Sequence, residues 1–316
     1  MTTPTDLYNS ENPDELLGEI INSDMAKKFG QDRIGTETEI SNALAKINDS
    51  IGNSNTNLTL LLRGINKSKL KTNLIDKLNS NDSLYDGLFL VGDKAKKFLE
   101  KNHEIPHPIK NIHSASDDTA SWIFDLYGKL LVAPIDLTYF KNQNNKTAFI
   151  KATSKNQNLI DYYLFGLHTN NSDTMVNFVS TTSSPKVALH NQTIGKLIIF
   201  LWLPQNYNLY INVDKLRIYK EKVAQLRLPI LNDSFFSDER EVSFKGCILP
   251  HFILAIHDLE EGALILNPAL IEDKANWIDD GMNVNQENFS AFIKTTKYKR
   301  FLLLTSDHRL EEKNVG

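Results

Sequence analysis

The chain has 316 residues, of which 41% are apolar and 23% charged, and its formal net charge is −4. This composition is typical of globular proteins and lacks the basic excess that general nucleic-acid binding requires. Apolar runs such as "GKLIIFLWLP" are too short for the ~18 residues of a membrane-spanning helix, and the N-terminus lacks the basic-then-apolar start of a Sec-type signal peptide. A lone Cys247 excludes an internal disulfide and fits a reducing compartment.

Helical patterns dominate the first part of the chain. Apolar residues at helical spacing predict a helix over 13–29. A second helix is predicted over 36–49, where Thr36 as N-cap and Glu39 three residues later form a capping box. A turn-rich linker then precedes a buried strand, which is predicted over 58–66.

The sequence changes from helical to strand-like patterns after about residue 175. Residues 67–170 are predicted to be mainly helical, and a short helix is predicted to begin at Pro185. The predicted strands cover 174–182, 195–204, 208–219, 239–246 and 251–259. With a further helix predicted over 286–304, the chain is expected to adopt an α+β fold, helices first and a mostly antiparallel sheet later.

The motif "HEIPHP" matches the zinc-protease signature H-E-x-x-H. That chemistry needs His103 and His107 one helical turn apart, with Glu104 beside the metal-bound water. Pro106 and Pro108 disfavour a helix at these positions, because proline lacks the amide and restricts the residue before it. We therefore favour a proline-rich loop, and the zinc protease remains the alternative from another functional class.

Three short segments carry polar side chains in a particular order. Arg63 lies near the end of "LTLLLRG", Ser180 follows an aromatic residue in "NFVSTT", and Glu239 and Glu241 lie in "SDEREVSF". If the last segment is a strand, both carboxylates face one way and Arg240 faces the other. Two like charges side by side are unfavourable unless a ligand or a reaction uses them.

This order resembles the R-S-E class of mono-ADP-ribosyltransferases, in its arginine-modifying Glu-x-Glu branch of bacterial toxins and effectors. "LPILNDSFFSDEREVSF" is similar to the turn-turn loop of that family. The resemblance covers roughly residues 57–266 and implies two packed, mainly antiparallel sheets flanked by helices. It leaves 1–56 as an N-terminal helical extension and 267–316 as a C-terminal helical extension with a polar tail.

The resemblance departs from the common pattern in one spacing. Arg63 and Ser180 are 117 positions apart, which is longer than in the toxin members and predicts an enlarged helical insert at approximately 84–140. Arg33 is the only other arginine before Ser180, and its segment "FGQDRIGT" has the composition of a turn. Arg63 is therefore the preferred arginine.

The resemblance also implies a role for each matched residue. Glu241 would hold a ribose hydroxyl of NAD and face the positive charge of an oxocarbenium-like transition state, and Glu239 would receive the target guanidinium. Ser180 would orient Glu241 through a hydrogen bond. Arg63 would meet the NAD phosphates or brace the site, and Gly64 would let the backbone approach the nicotinamide amide closely.

The remaining site predictions are less specific. Thr181 and Thr182 would line the NAD site and hold two strands together, and Phe235 or Phe236 would lie on the target-recognition turn. Three further side chains are candidates for phosphate contact: Lys186, His190 and Lys196.

The reaction implied by the resemblance uses NAD as substrate and no metal. Its partner is a target protein that presents an arginine. We expect neither nucleic acid nor a membrane as a partner, and we expect the protein to be a monomer. The resemblance and the polar end "DHRLEEKNVG" imply a bacterial effector that is secreted without an N-terminal signal peptide and acts in host cytosol; otherwise the protein is cytoplasmic. An NAD glycohydrolase, in which water replaces the target, and a non-catalytic interaction module are the alternatives.

Overall fold

The computed structural model describes fourteen parts of the chain: 6–29, 35–52, 58–68, 85, 115–168, 178–190, 196–204, 210–232, 239–245, 248, 252–267, 270, 303–304 and 310–311. Within these parts, no helix is long and apolar enough to cross a membrane. They include both helices and a large sheet, so the predicted α+β class is confirmed.

The helices and strands have the following bounds. The helices are α1 Pro13–Asn22, α2 Glu37–Gly52, α3 Asp117–Lys129, α4 Thr138–Lys141, α5 Lys146–Thr153, α6 Gln157–His168, α7 Pro185–Leu189, α8 Val213–Arg217 and α9 Tyr219–Gln225. The strands are β1 Ala26–Lys28, β2 Leu58–Asn66, β3 Phe178–Thr182, β4 Lys196–Pro204, β5 Tyr210–Asn212, β6 Glu241–Lys245, β7 Ile253–Asp258, β8 Ala263–Leu266, β9 Leu303–Leu304 and β10 Leu310–Glu311.

Eight strands form one sheet in the order β1-β8-β7-β4-β2-β3-β6-β5, so the prediction of two packed sheets is wrong for the described strands. All neighbours are antiparallel except β1 and β8. The two halves remain one sheet because Leu62 of β2 pairs with Thr182 of β3. Whereas β2 pairs with β4 along all nine of its residues, this is the single registered pair between β2 and β3. β2 and β3 are therefore the neighbouring strands of this sheet with the fewest paired residues.

The central strands are buried on both faces, which explains their nearly continuous apolar sequences. In β2, Leu61 and Ile65 belong to one hydrophobic core, together with residues of α3, α5 and α6. Leu60 and Leu62 belong to a second core, together with residues of α1 and α2. This alternation is the two-residue period of a strand, and it places α6 on the same face as Arg63.

The N-terminal region is tied to the sheet. The helix predicted over 13–29 ends at Asn22, and β1 follows and pairs in parallel with β8. The hydroxyl of Tyr8 lies 2.8 Å from Nδ1 of His257 in the interior. The predicted capping box of α2 is confirmed, since the Thr36 amide donates to Glu39 at 2.8 Å and the Glu39 amide donates back to the Thr36 hydroxyl at 3.2 Å.

Two predicted elements differ from the structure. The strand predicted over 208–219 stops after β5, because the Asn212 side chain accepts from the Lys215 amide at 3.2 Å and begins α8. Of the C-terminal helix predicted over 286–304, the described residues 303–304 form β9, which pairs with β10. Of the predicted helical insert 84–140, the described part from residue 115 onward contains α3 and α4.

Candidate functional site

A cleft of about 370 Å³ lies where β2 and β3 stop pairing, and we call it the first cleft. Five of the predicted site residues line it together: Arg63, Gly64, Ser180, Glu239 and Glu241. Thr181 and Thr182 line it as well. The fold thus brings together three segments that are far apart in the sequence.

Arg63 bridges the two strands at the gap in their pairing. It lies on the face of β2 between Leu61 and Ile65, is only 4% exposed, and donates through Nη1 to the backbone carbonyl of Ser180. Burial lowers the pKa of Arg63 to about 10, while the field of Glu241 opposes the shift. The guanidinium therefore remains charged at neutral pH and places a cation beside the cleft.

Glu241 is the first residue of β6 and its side chain is only 14% exposed. Its Oε1 accepts a hydrogen bond from the Ser243 hydroxyl at 2.6 Å and lies 3.6 Å from Nε2 of His168. Burial alone would raise the pKa of Glu241, but interactions with His168, Ser243 and Ser180 outweigh it and lower the pKa. The carboxylate is therefore ionised at neutral pH.

Ser180 connects the other groups of the site. Its carbonyl accepts from Arg63, and its hydroxyl lies 3.0 Å from Nε2 of His168. Ser180 also contributes to the lowered pKa of Glu241, and the direct hydrogen bond between the two side chains stays a prediction. These four residues, Arg63, His168, Ser180 and Glu241, form what we call the Glu241 cluster.

His168 was not identified from the sequence. It is the last residue of α6, whose pattern "LIDYYLFGLH" indicates only a buried helix. Two turns earlier on the same helix, Asp161 accepts from Lys245 of β6 at 2.6 Å, inside the protein. Burial raises the pKa of Asp161 although Lys245 opposes the shift. Because Lys245 and Glu241 are on the same strand, the two contacts together fix α6 against β6 and bring His168 to Glu241.

Glu239 lies outside the strand, so the argument that placed the two glutamates on one strand face is wrong. β6 begins only at Glu241, and Arg240 before it has φ +47°, in the left-handed region that is unfavourable for a residue with a side chain. Glu239 and Glu241 nevertheless line the same cleft, one exposed and one largely buried. The turn at Arg240, rather than strand alternation, brings them together.

The side chain of Arg240 points away from the first cleft, as expected. Its Nη1 donates to the backbone carbonyl of Glu11 at 3.1 Å. The turn itself is held from β3, since the Thr182 hydroxyl donates to the Glu239 carbonyl at 2.5 Å and the Ser183 amide donates to the Arg240 carbonyl at 3.2 Å. The unfavourable backbone conformation is therefore maintained by its neighbours.

The hydroxyls of the Ser-Thr-Thr segment join β3 to the segment containing both glutamates. Thr181 donates to the Val242 carbonyl of β6 at 2.6 Å, alongside the contact of Thr182 with Glu239. The predicted strand-holding role is confirmed for the side chain of Thr181, whereas the side chain of Thr182 holds the turn before β6.

Gly64 is required by the packing of the fold itself. A Cβ at this position would lie 2.2 Å from the carbonyl oxygen of Ala188 and 2.5 Å from Cε of Lys196. The glycine thus allows α7 and Lys196 to approach β2 closely. Its predicted approach to nicotinamide is not needed to explain it.

The three candidates for phosphate contact are divided between two sites. His190 and Lys196 line the first cleft, and Lys196 donates to the His190 carbonyl at 2.6 Å. Burial lowers the pKa of Lys196. Lys186 lies on a neighbouring cleft and is 3.8 Å from Glu11.

Several predicted residues lie outside the described part of the chain. These are Arg33, Phe235 and Phe236, and the motif residues His103, Glu104 and His107. In the part that the structure describes, no group of three or more His, Cys, Asp or Glu side chains is arranged to hold a metal ion.

In comparisons with known proteins, no family model, curated protein or solved structure matches the chain. The function is therefore to be inferred from the geometry of the first cleft. That cleft combines a buried cation, an oriented and ionised carboxylate, and a second, exposed carboxylate. Such a set can bind an anionic group, stabilise positive charge that develops in a reaction, and receive a second cation.

Proposed function

We propose that the protein is a mono-ADP-ribosyltransferase that cleaves NAD and transfers ADP-ribose to an arginine side chain of a target protein. The observation that supports this most is the meeting of Arg63, Ser180, Glu239 and Glu241 in one cleft, since these residues were selected from the order of the sequence motifs alone. The fold class is compatible with the proposal, because the described core is α+β with a mostly antiparallel sheet.

The environment of Glu241 suits the cleavage of NAD. The bond between ribose C1′ and the nicotinamide nitrogen breaks heterolytically, and nicotinamide leaves as a neutral molecule with the electron pair. Positive charge then develops on the ribose, and an ionised carboxylate close to it stabilises the transition state. The lowered pKa of Glu241 keeps this carboxylate charged, and its hydrogen bonds fix its orientation before the reaction.

The exposure of Glu239 suits the binding of an incoming side chain. A target guanidinium would pair with this carboxylate, which matches its planar arrangement of donors. One guanidinium nitrogen then forms a bond with C1′, and the proton it loses passes to Glu239 or to solvent. Both substrates of the reaction carry a cationic group, which explains why two carboxylates line one cleft.

The buried cations suit the anionic part of NAD. Arg63 and Lys196 line the same cleft as the glutamates, and both are largely buried. A pyrophosphate beside them would meet positive charge that is partly shielded from water, where the attraction is stronger than in bulk solvent.

His168 acts as a positioning residue in this proposal. Its Nε2 lies between the Ser180 hydroxyl and the Glu241 carboxylate, at 3.0 Å and 3.6 Å. It helps to keep Glu241 both oriented and ionised. It is not expected to contact NAD itself.

The test is a pair of matched substitutions, Glu241→Gln and Glu239→Gln, assayed with labelled NAD and a small guanidino acceptor such as agmatine. The wild type should form the ADP-ribosylated acceptor. Glu241→Gln should lose both NAD cleavage and transfer, whereas Glu239→Gln should lose transfer and keep cleavage. Free ADP-ribose without acceptor product would instead indicate an NAD glycohydrolase, and no NAD turnover by the wild type would favour a non-catalytic module.

A further inference from the structure

A second cleft of about 530 Å³ lies beside the first. Three cationic side chains line it, Lys186, Arg217 and Arg240, together with Glu11 and Asp214. The two clefts meet at the turn before β6, because Glu239 and Glu241 line the first and Arg240 between them lines the second. The left-handed conformation of Arg240 turns its side chain outward, and the strained turn thereby serves both clefts.

An acidic residue of the protein itself lies against these cations. Glu11 Oε1 is 3.8 Å from Nζ of Lys186, and Oε2 is 3.6 Å from Nη2 of Arg240. The Arg240 guanidinium also binds the backbone carbonyl of Glu11 at 3.1 Å. Both a carboxylate and the main chain that carries it are thus recognised here.

An acidic side chain of a bound peptide can take the place of Glu11 in this contact. The side chains of Glu11, Lys186 and Arg240 are 76%, 59% and 47% exposed. Ion pairs this exposed contribute little to stability and are screened by salt. Arg217 adds a further cation on α8, at the same cleft.

We propose that the second cleft binds an acidic segment of the target protein, next to the arginine that is modified. This inference depends on the proposed transferase only for the arginine; the binding of an acidic peptide can be measured without any reaction. Because the clefts are lined by consecutive residues of one turn, an extended segment would place its acidic residues within a few positions of that arginine, at about 3.3–3.6 Å per residue. Charge complementarity of this kind selects partners more than it increases affinity.

The test measures the binding of two fluorescein-labelled peptides to the full chain by fluorescence anisotropy. Both contain one arginine, flanked in one peptide by Asp and Glu and in the other by Asn and Gln at the same positions. The acidic peptide should bind at least fivefold more tightly at low salt, and the difference should decrease as salt is added. Equal affinities at low salt would overturn the proposal.

Matched substitutions on α8 locate the effect. Arg217→Gln should reduce the preference for the acidic peptide at least threefold. Lys215→Gln, two residues away on the exposed side of the same helix and not part of the cleft, should leave the preference unchanged. Equal losses in the two variants would mean a general charge effect and would overturn the proposal, with thermal melting as the check that both variants fold.

Removal of the internal carboxylate gives an independent result. Glu11→Gln should bind the acidic peptide about two- to fivefold more tightly, because Lys186 and Arg240 lose an internal partner. Weaker or unchanged binding would overturn the assignment of these cations as the docking groups. NAD turnover by the wild type is measured in parallel. If the protein prefers the acidic peptide but does not cleave NAD, only the proposed transferase is contradicted. If it cleaves NAD but binds both peptides equally, only the docking site is contradicted.

Discussion

Two buried polar clusters of this protein contain similar side chains and differ in their surroundings. The Glu241 cluster borders the first cleft and joins residues of β2, β3, β6 and α6. The other cluster is centred on Asp258 at the end of β7, where Lys67 and Tyr85 donate to the same carboxylate oxygen at 2.6 Å and 2.5 Å. Both clusters pair an acidic side chain with basic or neutral donors in the protein interior.

The difference lies in how the carboxylate is used. The second oxygen of Asp258 accepts from the backbone amides of Glu260 and Glu261 at 2.9 Å and 3.0 Å, so both oxygens are used within the fold. Asp258 is 0% exposed, whereas Glu241 retains an exposed fraction and faces a cleft. A buried carboxylate that is fully used stabilises the turn around it, whereas one that is held firmly beside a cleft can act on a ligand.

The largest effect should follow from Glu241→Gln, which keeps the size of the side chain and removes its charge. We expect NAD cleavage to fall by about 10²–10³-fold, the usual loss when a group that stabilises transition-state charge is removed. Turnover of labelled NAD by purified protein measures this, and the far-UV spectrum shows whether the fold is kept. Full activity in this variant would mean that Glu241, like Asp258, only stabilises the fold.

Asp258→Asn should show the opposite behaviour, with a loss of stability by about 2 kcal/mol, because the buried Lys67 then keeps only its more exposed partners Glu260 and Glu261. Urea denaturation measures the change. Activity per folded molecule should remain near that of the wild type, and a variant that is stable but inactive would contradict the structural role.

The same aspartate makes stability depend on pH. Burial raises the pKa of Asp258, but hydrogen bonds from Lys67 and Tyr85 outweigh it, so the folded-state pKa lies below the unfolded value. The stabilisation is therefore present above the unfolded pKa and is lost as the pH falls through the folded one. The difference in stability between wild type and Asp258→Asn should shrink over that acidic interval.

Gly64→Ala should destabilise the protein by about 2 kcal/mol, because the added methyl group meets the backbone of α7 as well as the side chain of Lys196, and the backbone cannot move aside as a flexible side chain can. Gly18→Ala is the matched control, since a Cβ there has nothing within 4 Å. Thermal melting of the two variants measures the difference. Equal melting temperatures would mean that α7 moves away without cost.

His168→Gln should have the smallest effect on rate, about tenfold, and a specific effect on the pH profile. His168 contributes to the lowered pKa of Glu241, so its removal should raise that pKa toward the ordinary value for glutamate. Activity should then be lost at a higher pH on the acidic side than in the wild type. A lower rate with an unshifted acidic limb would indicate only a packing role.

The sequence predicted those features that depend on neighbouring residues or on motif order. The capping box at Thr36 and the buried strand β2 follow from local patterns, and both are present. Motif order also selected Arg63, Ser180 and Glu241, which line one cleft.

What the sequence did not predict depends on tertiary contacts. His168 reaches Glu241 because the buried pair of Asp161 and Lys245 sets the position of α6 on β6, and no local pattern contains that contact. β1 has only three residues, too few for a strand period, and it forms by pairing with β8. The left-handed Arg240 is similarly fixed by hydrogen bonds from β3.

The position of Arg63 has a mechanical consequence. Between β2 and β3, one backbone pair at Leu62 and the Arg63 contact with Ser180 connect the two halves of the sheet. A side chain, with several rotatable bonds, thus spans a gap that elsewhere in this sheet is closed by rigid backbone pairing. The first cleft therefore lies where the connection between the two halves of the sheet depends on a side-chain contact as well as on backbone pairing.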